Sequence, residues 1–144
     1  MSLLRYDDRP TEKDWADVLA TFPLFAQVAR RHLRKLVRSA TFAELARGES
    51  ISSTPAGSDS LYVILGGEAT MLRPTLLSLR TGDYFGELGV LGGQPYSLFV
   101  VAERDLHVMK LPRQPVLELA RRHPPVTISL LKELGLRLRP AVAR

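Results

Sequence analysis

Punctuation constrains this chain more than any other feature. Between Thr41 and Leu111 the sequence is cut by Gly48, Pro55, Gly57, Gly66-Gly67, Pro74, Gly82, Gly86, Gly92-Gly93 and Pro95. Glycine and proline resist helix interiors, and the pieces between them are too short for a helix to hold on its own. They read instead as strands, at 41–47, 51–54, 61–65, 68–73, 75–79, 97–102 and 106–111. Turns fall at Gly48, Gly66-Gly67, Arg73-Pro74 and Thr81-Gly82-Asp83, with a loop over 55–59. Short strands at close spacing predict an antiparallel barrel or jelly roll.

Outside that stretch the period is helical. Thr11 stands as an N-cap with Asp14 three residues on, and Trp15, Val18, Leu19 and Phe22 recur at helical spacing until Pro23. Leu24, Phe25 and Val28 make a short apolar turn, and a second helix runs from Ala29 to Ser39 with Leu33, Leu36 and Val37 inward. After Leu111, Val116, Leu117 and Ala120 mark one helix. Pro124-Pro125 opens another, lined by Val126, Leu130, Leu131, Leu134 and Leu138 and stopped by Pro140. The Leu131, Leu134, Leu138 stripe packs either on the barrel or on a second copy as a homodimer seam. The expected fold class is mainly β with flanking helices: an antiparallel jelly-roll β-barrel (double-stranded β-helix) with N- and C-terminal helices. One domain is expected, with an N-terminal helical part over 1–40, the barrel over 41–111 and C-terminal helices over 112–144.

Composition narrows the function classes. With 144 residues, 45% hydrophobic and 24% charged, the chain buries one core and is not a disordered tract. Cysteine is absent, which excludes disulfides, thiolate metal sites and thiol nucleophiles. The apolar runs Leu61–Leu65 and Leu98–Ala102 fall well short of the ~20 residues of a membrane span. Arg5, Asp7, Asp8 and Arg9 interrupt any N-terminal signal, so a cytoplasmic protein without membrane contact is expected. The net charge of +5 admits an anionic partner without naming one.

No enzyme constellation is legible. His32, His107 and His123 lack metal-ligand spacing, and Ser52, Ser53, Ser58 and Ser60 lack the Gly-x-Ser-x-Gly pattern. The basic run Arg30, Arg31, His32, Arg34, Lys35, Arg38 reads as a solvated helix face. No aromatic residues interleave with it for base stacking, so nucleic acid is not expected as a partner.

The informative segment is Gly82-Asp83-Tyr84-Phe85-Gly86-Glu87-Leu88-Gly89-Val90-Leu91-Gly92-Gly93-Gln94-Pro95, between two strands. Gly86 lets the backbone turn, and Glu87 to Leu91 can make one helical turn. Free N–H groups at such a turn suit a phosphate, and Glu87 beside them can accept from a sugar hydroxyl. Asp83 reads as a turn residue.

In its wider context this segment resembles the phosphate-binding cassette of the cyclic nucleotide-binding domain family. The blocks Pro23-Leu24-Phe25-Ala26-Gln27-Val28, Gly48-Glu49-Ser50-Ile51, Gly57-Ser58-Asp59-Ser60-Leu61-Tyr62-Val63-Ile64, Gly66-Gly67-Glu68-Ala69 and Gly82-Asp83-Tyr84-Phe85-Gly86-Glu87-Leu88 follow the family order. The resemblance implies a cassette over 82–97, ligand contacts from Gly86, Glu87, Leu88, Tyr96 and Ser97, and cyclic AMP or cyclic GMP as ligand, with no other cofactor. It also implies an effector domain or partner protein.

Three departures qualify that reading. In the family an arginine between the proline and the Ser/Thr grips the cyclic phosphate; here Pro95-Tyr96-Ser97 puts Tyr96 there. A neutral O–H in place of a charge-assisted bidentate contact weakens binding by about 2–4 kcal/mol. Leu98 and Phe99 are larger than usual, which predicts a packed pocket. Pro140 breaks the last helix, so the family's helical lid is expected to be short or missing. The hairpin at Arg73-Pro74 is also short, away from the cassette. Two functions follow: a non-catalytic regulatory domain that binds cyclic nucleotide weakly, or a protein-interaction module whose pocket binds none.

Overall fold

The structure is a computed structural model and describes residues 10–52, 59–92 and 97–137. Helix α1 (Glu12–Leu19) begins at a complete capping box, in which Thr11 accepts from the Asp14 N–H and Asp14 accepts from the Thr11 N–H. A 3-10 turn, Pro23–Phe25, carries Leu24 and Phe25 into the core. Helix α2 (Arg30–Arg38) buries Leu33, Leu36 and Val37. Its basic face is partly neutralised by α1, because Asp17 pairs with Arg30 at 2.9 Å and Glu12 with Arg38 at 2.9 Å.

Eight strands follow: β1 (Thr41–Leu45), β2 (Ser50–Ser52), β3 (Ser60–Gly66), β4 (Glu68–Arg73), β5 (Leu77–Arg80), β6 (Tyr84–Phe85), β7 (Phe99–Ala102) and β8 (Leu106–Pro112). Helix α3 (Glu87–Gly92) lies between β6 and β7, and α4 (Arg113–Arg122) and α5 (Pro124–Arg137) close the described chain. All pairings are antiparallel, in two four-stranded sheets ordered β1-β8-β3-β6 and β2-β7-β4-β5. The jelly-roll expectation holds, with one correction: the sheets do not close into a barrel. The two-residue β6 and three-residue β2 are too short to carry a ladder from one sheet into the other.

Burial explains the sequence pattern. The sheet β2-β7-β4-β5 has one apolar face: Ala69, Met71, Leu79, Val100 and Ala102 point inward, while Thr70 and Ser78 alternate outward. Strands β3 and β8 are covered on both sides. Ile64, Leu106 and Val108 join the jelly-roll core, whereas Leu61, Val63, Met109 and Leu111 join a second core built with the helices. That double coverage is why 61–65 reads as a continuous apolar run. Around the strands, Gly48, Gly67, Gly82 and Gly86 all take positive φ, as their turn positions require.

Two parts of the C-terminal reading change. Leu131 and Leu134 of the expected stripe are not packed together inside the chain: Leu131 is 54% exposed, Leu134 is half-buried, and Leu138 lies outside the described residues. The buried face of α5 is Val126, Leu130 and Arg137. A helix turns 100° per residue, so Leu131 sits a step away from Leu130 and faces solvent.

Candidate functional site

The site is built where β6 passes into α3. Tyr62 of β3 stacks on Phe85 of β6, with ring centroids 4.8 Å apart and planes 6° from parallel. This holds the two backbones close at the next residue. Gly86 takes φ +95°, and a Cβ there would overlap the Ser60 carbonyl oxygen. Only glycine allows that approach, and it aims the following side chain inward. Glu87 is accordingly 3% exposed.

A buried carboxylate needs a partner, and α5 supplies it. Arg137 Nη1 donates to Glu87 Oε1 at 2.8 Å and Oε2 at 2.9 Å, and its Nε donates to Glu133 Oε2 at 3.0 Å. The guanidinium lies over the Tyr84 ring, 5.4 Å from its centroid, and the Tyr84 hydroxyl donates to the Ser129 carbonyl at 3.2 Å. Burial, the largest influence, pushes the Glu87 carboxyl above its ordinary range, and Arg137 pulls it part of the way back. Burial also pushes the Tyr84 phenol up, with the charges of Glu87 and Glu133 adding to it. From the other side, Arg113 Nε donates to the Val90 carbonyl at 2.8 Å and ties α4 to α3.

Little space remains. Met71, Pro74, Gly86, Glu87, Leu88, Leu98, Leu134 and Arg137 enclose about 10 Å³, room for roughly one water. Ligand pockets usually measure about 300–1,000 Å³.

Of the residues singled out in the sequence, Gly86, Glu87 and Leu88 come together here. Ser97 is exposed and does not line the space, and Tyr96 lies outside the described residues. Leu98 packs the site as its size suggested. Phe99 does not: β7 alternates it to the outer face, where Arg73 lies over its ring at 5.4 Å. Helix α5 delivers both Leu134 and Arg137 to the site; the end of the last helix at Pro140, on which the expectation of a short or missing lid rests, lies outside the described residues. Arg137 was missed in the sequence. Its signal was an arginine at i+4 from Glu133 and i+7 from Leu130, on the apolar face of the helix. Asp83 serves its turn, accepting from the Arg80 N–H at 2.8 Å. Among the described residues, no cluster of His, Asp and Glu could hold a metal, and no helix is long and apolar enough to cross a membrane.

A two-sheet jelly roll with a buried glutamate on a glycine-hinged turn, faced by a C-terminal helix, is a ligand-binding jelly roll in build. The chain belongs to the cyclic nucleotide-binding domain family, whose profile matches residues 42–123. A cAMP-dependent protein kinase regulatory subunit from Aspergillus fumigatus is 29% identical over 99 residues, which cover 66% of this chain and 24% of that protein. The chain thus matches about a quarter of that relative's length. The regulatory domain of Toxoplasma gondii PKA with cAMP has TM-score 0.73 at 20% identity, covering 86% of this chain and 49% of the other. The regulatory subunit of a cAMP-independent protein kinase A from Trypanosoma brucei also has TM-score 0.73, at 21% identity, covering 88% and 46%. At these identities the two structures speak to the fold alone.

Proposed function

We propose that this is a non-catalytic regulatory domain that binds cyclic AMP or cyclic GMP weakly, because its own last helix occupies the site. The Arg137–Glu87 pair, in which Nη1 reaches both carboxylate oxygens, carries this reading. A ligand hydroxyl that seeks the Glu87 carboxylate must first displace a buried guanidinium, and charged hydrogen bonds of this kind are the strong ones. Tyr96 at the phosphate-gripping position weakens binding further, since it brings no positive charge. The same fold occurs in a structure described as the regulatory subunit of a cAMP-independent kinase, so fold does not fix response to cAMP. An effector domain or partner protein in the cytoplasm belongs to this proposal, as does a homodimer through the exposed Ile128 and Leu131 of α5.

Calorimetric titration with cyclic AMP and cyclic GMP tests it. The expected order of affinity is wild type, then Arg137→Ala and Tyr96→Arg, then the double variant, with each single change gaining at least tenfold. Tight binding by the wild type, unaltered by Arg137→Ala, would overturn the self-occupied site. No binding by any variant would favour the interaction module without a nucleotide.

A further inference from the structure

A recess far larger than the space at Glu87 lies elsewhere. A groove of about 390 Å³ runs between α2 and α4, within the usual size range of ligand pockets. Its floor is apolar, with Leu36, Leu119 and Pro115, and its rim carries His32, Lys35, Arg38, Ser39, Glu118 and Arg122. The α2 basic run, expected from the sequence to be a solvated face, forms one wall of it.

The charges on the rim are unequal in what they are doing. Arg38 is held by Glu12 at 2.9 Å, whereas Lys35 and Arg122 have no ion-pair partner among the described residues. Both are exposed, one on each wall. Glu118 is the single acid on the rim, so the free positive charge exceeds the negative. His32 registers the surroundings: desolvation first, then the charges of Arg31, His123, Arg122 and Lys35, hold its imidazole below the ordinary range. Its ring meets His123 edge-on at 4.9 Å, and the buried His123 Nε2 has no hydrogen-bond partner among the described residues. An apolar floor between two unpaired cations favours one kind of occupant, an anionic head on an apolar body.

We propose that the α2–α4 groove binds a small organic anion, an aromatic or acyl carboxylate or sulfonate, separately from the nucleotide site. The body rests on Leu36, Leu119 and Pro115, and the head lies between Lys35 and Arg122. At about 390 Å³ the groove suits one such molecule.

The test uses 1-anilinonaphthalene-8-sulfonate and the whole chain. Fluorescence titration and calorimetry should give one molecule per chain, and the His32 ring signals should shift in NMR as it binds. Lys35→Glu/Arg122→Glu should weaken binding at least tenfold with an unchanged circular dichroism spectrum; both residues are exposed, so the fold should tolerate the change. If that variant fails to fold, Lys35→Gln/Arg122→Gln carries the test, with at least a threefold loss expected. Affinity within twofold of wild type in the variant that folds overturns the proposal. So does full displacement of the dye by cyclic AMP, which would place it in the jelly roll.

Discussion

Glu87 and Gly86 show how one residue sets another's chemistry. Gly86 supplies a backbone path that no side chain permits, and Glu87 is buried as a result. Gly86→Ala is therefore expected to cost at least about 1–2 kcal/mol, from the positive φ alone, and more from the overlap with the Ser60 carbonyl. A lowered urea midpoint with unchanged m-value checks this. Glu87 also predicts a pH dependence. Its folded pKa is raised above the ordinary 4.5. The stability linked to this group is thus fully present below 4.5 and is lost as pH rises through the folded value. Arg137 limits the rise, so Arg137→Gln should move the Glu87 pKa higher still. Carboxyl NMR titration of both proteins measures it; a Glu87 pKa below 4.5 in the wild type would contradict the account. Tyr84 and Glu133 face the same carboxyl, and both disfavour its charge or are disfavoured by it.

At the scale of elements, α5 does two jobs on different faces. Val126 and Leu130 dock it on the helical core, and Arg137 seals the site, while Ile128, Leu131 and Leu136 remain exposed. Leu130→Ala should cost about 2–5 kcal/mol, as for other fully buried leucines. Leu131→Asp should leave monomer stability within about 0.5 kcal/mol and, on the proposed homodimer, shift sedimentation to the monomer. A wild type that sediments as a monomer at high concentration removes the seam. Leu134→Asp would not separate these outcomes, because Leu134 lines the small space beside Glu87. The α1–α2 pair shows a related division: Arg30, Arg34 and Arg38 of α2 are held by Asp17 and Glu12, whereas Lys35 on the α4 side has no ion-pair partner among the described residues.

For the whole molecule, ligand binding and stability are linked. A ligand near its Kd stabilises the folded chain by only about 0.4 kcal/mol, a shift of no more than about 3 °C for a domain this size. Cyclic AMP at 1 mM should raise the wild-type Tm by that little. Tyr96→Arg, binding at least tenfold tighter, should raise it by about three times as much or more at the same concentration. A large wild-type shift would show that the self-closed site opens readily.

The sequence by itself determined the class of fold and most of its elements, though not the two-residue β6. Period and punctuation act over a few residues, so Thr11 and Asp14 announced the first cap, Gly48, Gly67 and Gly82 the turns, and the switch from helical to strand-like pattern at Thr41 the antiparallel jelly roll. The Gly86-Glu87-Leu88 turn was legible for the same reason. Only the tertiary structure decided what fills the site. Arg137 lies 50 residues from Glu87, and a contact across that distance leaves no local period to read. Nor did the sequence show that the sheets stay open, or that Phe99 turns outward while Leu98 turns in. Those outcomes follow from where short strands run out of partners and from which face another element covers.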